Sequence, residues 1–218
     1  MTNYHVDPQG QPLTVDLGGG LTCTKVSLGE MDNNGYLLTG AGPSVWIDAA
    51  AEPERISEVL AGRDLPAVVT THRHYDHIAA TAQVMGATGA VGFCGTPDRE
   101  SIEQDTGTEQ QGVWTGDTIA AGPGSLEVIG IVGHTPGSIT LAWVPSEGPA
   151  HLFTGDSLFP GGVGKTWSPG DFATLLDDVS TNIFDRFGDD TVVHPGHGDA
   201  TTLGAERASL PEWRARGW

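Results

Sequence analysis

Polar and apolar residues alternate over 13–28 (L-T-V-D-L, then L-T-C-T-K-V-S-L), and the glycines at 18–20 interrupt them; this predicts two strands joined as a hairpin. D-N-N-G at 32–35 predicts a turn, followed by strands over 36–39 and 44–48, the second ending at Asp48. Residues 52–62 carry a helical pattern with Pro53 in the first turn and Gly62 as the stop. An apolar strand over 67–71 follows, then a helix over 78–85 that ends at Gly86, a buried strand over 90–93 and a short acidic helix over 97–104. Beyond Val113 strands are expected at 117–121, 126–132, 139–144 and 152–154. The longest amphipathic stretch is 171–187, with Phe172, Leu175, Leu176, Val179, Ile183 and Phe184 at helical spacing. A last strand over 191–193 leads to a helical tail, 203–218, closed by Pro211. Each half runs strands first and helices after, so the expected class is α+β, with two sheets face to face and helices outside.

Composition narrows this picture. At 218 residues, with 38% hydrophobic positions and 32 glycines scattered between apolar runs, the chain reads as one globular domain, 1–218, rich in tight turns. No apolar run is long enough to span a membrane, and the polar N-terminus shows no secretory pattern, which makes a cytoplasmic location the default expectation. Cys23 and Cys94 lack paired spacing and are expected to be buried thiols. The formal charge of −18 argues against nucleic-acid binding, which relies on Lys and Arg against phosphates; Lys25 and Lys165 are the only lysines. The sequence is silent on oligomeric state.

The candidate chemistry sits between strand and helix in V-V-T-T-H-R-H-Y-D-H, 68–77. His72 and His74 are two apart, so on extended chain both imidazoles face one side. Asp76 and His77 follow where the chain turns into a helix and should point elsewhere. One tetrahedral ion rarely takes four ligands from six consecutive residues, so the spacing suits two adjacent metal ions. Taken singly, Asp76 reads as a helix cap and each histidine as an ordinary polar residue at a strand end. Together, buried and mutually close, they would cost several kcal/mol without a cation.

Later strands end in similar short signatures. V-G-H-T-P-G places His134 after an apolar run, F-T-G-D places Asp156, and H-P-G-H-G places His197. The neighbouring glycines allow close backbone approach. His5, His151 and His194 stand apart: the first lies in a terminus expected to fray, the second starts a strand, and the third alternates away from His197.

In this order and context, His72-x-His74-x-Asp76-His77, His134, Asp156 and His197 resemble the metallo-β-lactamase-fold hydrolases. The H-T-P-G, G-D-S-L-F and P-G-H-G contexts are similar to the glyoxalase II (hydroxyacylglutathione hydrolase) branch. The resemblance implies an αββα four-layer sandwich of two mixed sheets, with the metals at the edge between them. It implies one ion on His72, His74 and His134, a second on Asp76, His77 and His197, Asp156 bridging them, and Asp48 as a supporting residue. Two divalent ions, zinc foremost with iron or manganese as alternatives, would lie roughly 3.5–4 Å apart and bring a shared water to a pKa near 7. The implied reaction is hydrolysis of a small thioester or related acyl compound, with Asp76 and Asp156 as catalytic carboxylates. A lysine matching Lys165 binds a glutathione carboxylate in that branch; Trp167 stands where the branch has tyrosine, and Tyr75 could protonate an ester's alkoxide. The short tail leaves no added glutathione-binding helical domain, so other thiols, or a lactonase or esterase, remain open. A mononuclear iron persulfide dioxygenase using His72, His134 and Asp156 is the alternative from another reaction class.

Overall fold

The computed structural model describes residues 4–217. Seven strands, β1 (Leu13–Asp16), β2 (Leu21–Leu28), β3 (Asn33–Gly40), β4 (Val45–Ile47), β5 (Ala67–Thr70), β6 (Val91–Gly95) and β7 (Gln110–Val113), form one sheet in chain order. Pairing is antiparallel from β1 to β4 and parallel from β4 to β7, so helices must carry the chain back between the parallel strands. These are α1 (Pro53–Leu60), α2 (Tyr75–Ile78), α3 (Thr81–Thr88) and α4 (Arg99–Thr106).

The second sheet contains β8 (Thr118–Ala121), β9 (Gly124–Gly130), β10 (Ile139–Trp143) and β11 (His151–Gly155). A small separate hairpin follows, β12 (Leu158–Phe159) with β13 (Gly162–Val163), and then helix α5 (Pro169–Val179). Strands β14 (Val192–Pro195) and β15 (Thr201–Thr202) complete the sheet in the order β15-β14-β11-β10-β9-β8, with β11 and β14 parallel. Short helices α6 (Leu203–Glu206) and α7 (Leu210–Arg216) close the chain.

Side chains alternate across each strand, and this sorts the core into three layers. Val69 and Ile47 of the first sheet meet Val128, Leu141 and Phe153 of the second between the sheets. Their chain neighbours Val68 and Trp46 face outward onto Ile56 and Leu60 of α1 and Val84 of α3. Ile129, Ala142 and Leu152 likewise turn outward onto Leu175, Leu176 and Val179 of α5 and Trp213 of α7. The result is the expected helix–sheet–sheet–helix sandwich of two mixed sheets.

Several element boundaries differ from expectation, each for a local reason. The 32–35 turn is really the start of β3; Asn33 pairs with Leu28, and the reversal is made by Gly29 and Asp32, both at positive φ. The helix after His74 is broken in two because the Ala80 N–H donates to the Ala49 carbonyl, and its second part runs through Gly86 to a left-handed Gly89. Asp76 is therefore inside the first turn of α2, and the cap position is taken by His74, whose side chain makes no capping hydrogen bond. The helix expected to stop at Gly62 ends with Leu60, Ala61 taking the left-handed cap. The 171–187 helix starts earlier, at a Ser168 cap, and passes at Ser180 into a π-helical turn, Ser180–Phe184. Pro211 opens α7 rather than closing the tail, and Trp218 lies outside the described residues. Strands β7, β12, β13 and β15 carry too few alternating apolar positions to announce themselves.

His5 is not frayed, since its ring bonds Asp199 (2.6 Å) and Asp7 (3.1 Å). Cys23 and Cys94 are free, buried thiols, and burial pushes Cys94 up to about 12. Among the described residues no helix is long and apolar enough to cross a membrane.

His151 and His194 lie in the core of the second sheet, Nδ1 to Nε2 3.1 Å apart, with His194 stacked on Phe153. Burial lowers both, His151 to about 4. They are neutral in the fold but take up protons on unfolding below the ordinary imidazole pKa, so stability present above about pH 6.5 is lost as pH falls toward 4. The double variant His151→Leu/His194→Leu is therefore expected to lose less stability than wild type between pH 7 and 5, by roughly 2 kcal/mol per histidine. Urea unfolding at the two pH values measures this, and an unaltered pH slope would refute a buried neutral pair.

Candidate metal centre

The residues singled out in the sequence lie at the C-terminal ends of strands, along one edge of the sandwich. Asp48 follows β4, the 71–77 segment follows β5, His134 follows β9, Asp156 follows β11 and His197 follows β14. Parallel strand ends and adjacent loops thus bring eight side chains from two sheets together: Asp48, His72, His74, Asp76, His77, His134, Asp156 and His197.

Three groups of ligand atoms form there, each with its members within 4.8 Å of one another: His72, His74 and His134; Asp76, His77 and His197; and His72, His77 and Asp156. The Asp156 carboxylate spans the first two groups, with Oδ2 3.6 Å from His134 Nε2 and 3.5 Å from His197 Nε2, and Oδ1 3.4 Å from His77 Nε2. Asp76 Oδ2 lies 3.3 Å from His197 Nε2 and 3.5 Å from His77 Nε2. The expected fanning-out is partial, because His77 also packs 4.2 Å from the His72 ring.

The other ring nitrogen fixes which nitrogen faces inward. His77 Nδ1 donates to the Asp48 carboxylate (2.9 Å), His134 Nδ1 to the Lys165 carbonyl (2.7 Å) and His197 Nδ1 to the Met31 carbonyl (2.9 Å). Each ring, once it has given up its second proton, presents a bare Nε2 to the centre. His72 turns its Nδ1 to the Thr71 hydroxyl (3.1 Å), while His74 offers Nδ1, 3.1 Å from His72 Nε2. Asp48 is held in turn by the Thr71 N–H (2.7 Å) and hydroxyl (2.8 Å), and its left-handed backbone (φ 55°) aims the carboxylate under the loop.

Almost everything pointing inward is an acceptor. His134 Nε2 and Asp156 Oδ1 are buried with no hydrogen-bond partner among the described residues. Gly196 gives the site its room, since any Cβ there would press on Asp156 Oδ1 and on His77 Cε1. Lone pairs that converge without donors are costly unless positive charge lies between them. The donor set of imidazoles and carboxylates therefore fits divalent cations, and the nitrogen-rich groups suit zinc or iron over calcium or magnesium.

The electrostatics agree. Burial lowers His72, His74 and His134, keeping them as neutral ligands. At His77 burial is outweighed by Asp48 and Asp156, which push it up to about 10, and at His197 by Asp156 and Asp76, again to about 10. His197 holds the Asp76 carboxyl far below its usual range, and at Asp156 the same histidine with His77 overcomes burial.

The rim is aromatic. Tyr75 is 75% and Trp167 62% exposed, with Trp167 6.3 Å from the His74 ring and the Lys165 ammonium 4.6 Å over the Trp167 ring. His151 and His194 are elsewhere, in the core. Asn33, missed in the sequence because D-N-N-G reads as a turn, is buried at the base; its Nδ2 donates to Asp76 Oδ2 (2.9 Å) and lies 3.4 Å from Nε2 of both His77 and His197.

A family model described as the metallo-beta-lactamase superfamily matches residues 28–197. The chain belongs to that superfamily. Among its members, the hydroxyacylglutathione hydrolase GloC of Haemophilus influenzae is 31% identical over 76% of this chain and 84% of its own length. A hydroxyacylglutathione hydrolase of Anaeromyxobacter dehalogenans is 34% identical over 76% of this chain, which spans only 61% of that relative. The crystal structure of ETHE1 from Myxococcus xanthus superposes with a TM-score of 0.74 at 26% identity, covering 88% of this chain and 84% of that one. This member of the superfamily is a metal-dependent hydrolase similar to glyoxalase II.

Asp48→Ala takes the acceptor from His77 without touching the inward-facing atoms. It is expected to weaken divalent-cation binding about 10–100-fold. Equilibrium dialysis of the metal-stripped variant against zinc measures this, and unchanged affinity would show that His77 is oriented by something else.

Proposed function

We propose that the chain is a dinuclear hydrolase of a small acyl thioester bearing a carboxylate. The observation that carries this reading is the position of Asp156, whose two carboxylate oxygens reach both the His72–His74–His134 and the Asp76–His77–His197 groups. In this reading His72, His74 and His134 would hold one divalent cation and Asp76, His77 and His197 another, with the Asp156 carboxylate within reach of both groups. Cations bound there supply Lewis acidity, bringing a water toward a neutral pKa and stabilising oxyanion charge.

The chain's own residues do the rest. Asp48 and the carbonyls of Met31 and Lys165 hold three imidazoles in the tautomer that leaves Nε2 free. Asp76, 22% exposed in its side chain, borders the open side. Its strongly depressed pKa makes it a weak base, so it orients water by accepting a hydrogen bond. A thiol leaving group, pKa ~8.5, departs as thiolate without an acid. An ester would need a proton, which the exposed Tyr75, next to His74 in the chain, would supply. Lys165, propped over Trp167 beside His74, is placed to meet a substrate carboxylate. The similarity to hydroxyacylglutathione hydrolases supports the thioester class.

A second reading is an iron-dependent persulfide dioxygenase using His72, His134 and Asp156, with which the likeness to ETHE1 is compatible. Metal analysis separates the two: two equivalents of cation and thioester turnover support hydrolysis, whereas one iron with oxygen consumption would replace it.

His74→Ala and Asp156→Ala should each lower kcat/KM by more than the roughly 10–100-fold typical of residues behind a metal ligand, with the fold retained by circular dichroism. Wild-type turnover by metal-stripped Asp156→Ala would end the proposal. Lys165→Ala should raise KM roughly tenfold (about 1.4 kcal/mol) for carboxylate-bearing thioesters and leave neutral ones unchanged. Equal effects on both would remove its assigned contact.

A further inference from the structure

Asp98 belongs to none of the motifs above, yet its side chain is completely buried beside them. It ends the 3-10 turn Thr96–Asp98 after β6, where T-P-D-R reads in sequence as nothing more than a helix start. A buried carboxylate is strongly unfavourable unless its oxygens are met by donors. Here Oδ2 accepts the backbone N–H of Arg73 (3.1 Å) and the Thr135 hydroxyl (2.5 Å), and Oδ1 accepts the N–H of Gly137 (2.9 Å). Arg73 Nε adds positive charge 3.8 Å from Oδ1.

The identity of these partners matters. Arg73 lies between His72 and His74, and Thr135 and Gly137 follow directly on His134 in the loop after β9 of the other sheet. The approach of Asp98 to the second loop is as close as a backbone permits, since a Cβ on Gly137 would collide with the Asp98 backbone nitrogen. The Thr135 hydroxyl, donating to Asp98, is paired with Ser138 (2.6 Å), and the Ile139 N–H donates to the Thr71 carbonyl (2.8 Å), so the two loops are laced at both ends.

We infer that Asp98 is a positioning residue for the three-histidine group: its buried carboxylate ties the loop of His72 and His74 to the loop of His134, so that the three nitrogens face one point. It makes no hydrogen bond to the three imidazoles and acts through the backbone, Thr135 and the Arg73 guanidinium. The Asp76–His77–His197 group has separate supports in Asp48, Asn33 and Met31. Loss of Asp98 must therefore weaken one cation site and spare the other. The inference rests on the proposed division of ligands into two groups.

The test is a zinc titration of metal-stripped protein against a chromophoric chelator, with Asp98→Ala and the isosteric Asp98→Asn made in wild type, in His197→Ala and in His134→Ala. The two histidine variants are read first. If they do not each lose one equivalent of zinc, the two-group reading itself fails, whatever Asp98 does. Given that loss, Asp98→Ala and Asp98→Asn should weaken the remaining site about 10–100-fold in the His197→Ala background and leave it unchanged in the His134→Ala background. Equal weakening in both backgrounds would mark Asp98 as a general structural residue and overturn the inference, as would no weakening in the first. Thermal unfolding of the metal-free variants reports any loss of fold, and where Asp98→Ala does not fold, Asp98→Asn decides.

Discussion

The constraint on which the structure turns is electrostatic: buried carboxylates and imidazoles face one another at close range, so the negative charge of the first must be met by protons or cations held among the second. Asp48 and Asp156 at His77, and Asp156 and Asp76 at His197, attract whatever positive charge is at hand, which is why both rings are pushed far above an ordinary imidazole. Such a cluster is unfavourable in a bare fold, and only a framework stable for other reasons can hold it together. The three apolar layers of the sandwich provide that framework.

Geometry follows from the constraint. Side chains that must meet within a few ångströms come from five strand ends, and each loop carrying one is short and anchored by its own backbone. Asp48 takes a left-handed backbone, Gly196 gives up a side chain, and Ala80 diverts its amide to Ala49. Each is a local concession that makes sense only in view of the site. Chemistry is carried at strand ends, where a strand's rigidity is available and its pairing no longer occupies the side chain's surroundings.

The residues of this cluster stood out in the sequence because their chemistry is unusual in combination. His72, His74, Asp76 and His77 within six positions, and three later residues each flanked by glycine, stand out against a polar background. The order of strands before helices in each half was equally legible and gave the layered architecture, whereas the wholly apolar 67–71 strand did not show which way Val68 and Val69 face. What escaped was whatever depends on partners distant in the chain. Asn33 and Asp98 are ordinary residues in turn-like tetrapeptides, and only the fold places one beneath Asp76 and the other between two loops. The carbonyls of Met31 and Lys165 have no side-chain signature at all. Boundaries failed where a tertiary hydrogen bond overrode the local pattern, as at Ala80, and short strands such as β12 and β15 are too brief for any period to register.

One feature of the assembly reaches beyond chemistry. Each of the two ligand groups draws on both sheets: His72 and His74 join His134 across the gap, and Asp76 and His77 join His197. Neither sheet by itself offers a complete group, so under the proposed two-cation reading a cation would bind only after the halves have docked and would act as a rivet along their shared margin. Mass action makes such a rivet a contributor to the native state's resistance to opening. The metal-depleted molecule would accordingly be expected to loosen first along this seam, while the helix-covered outer layers stay shut.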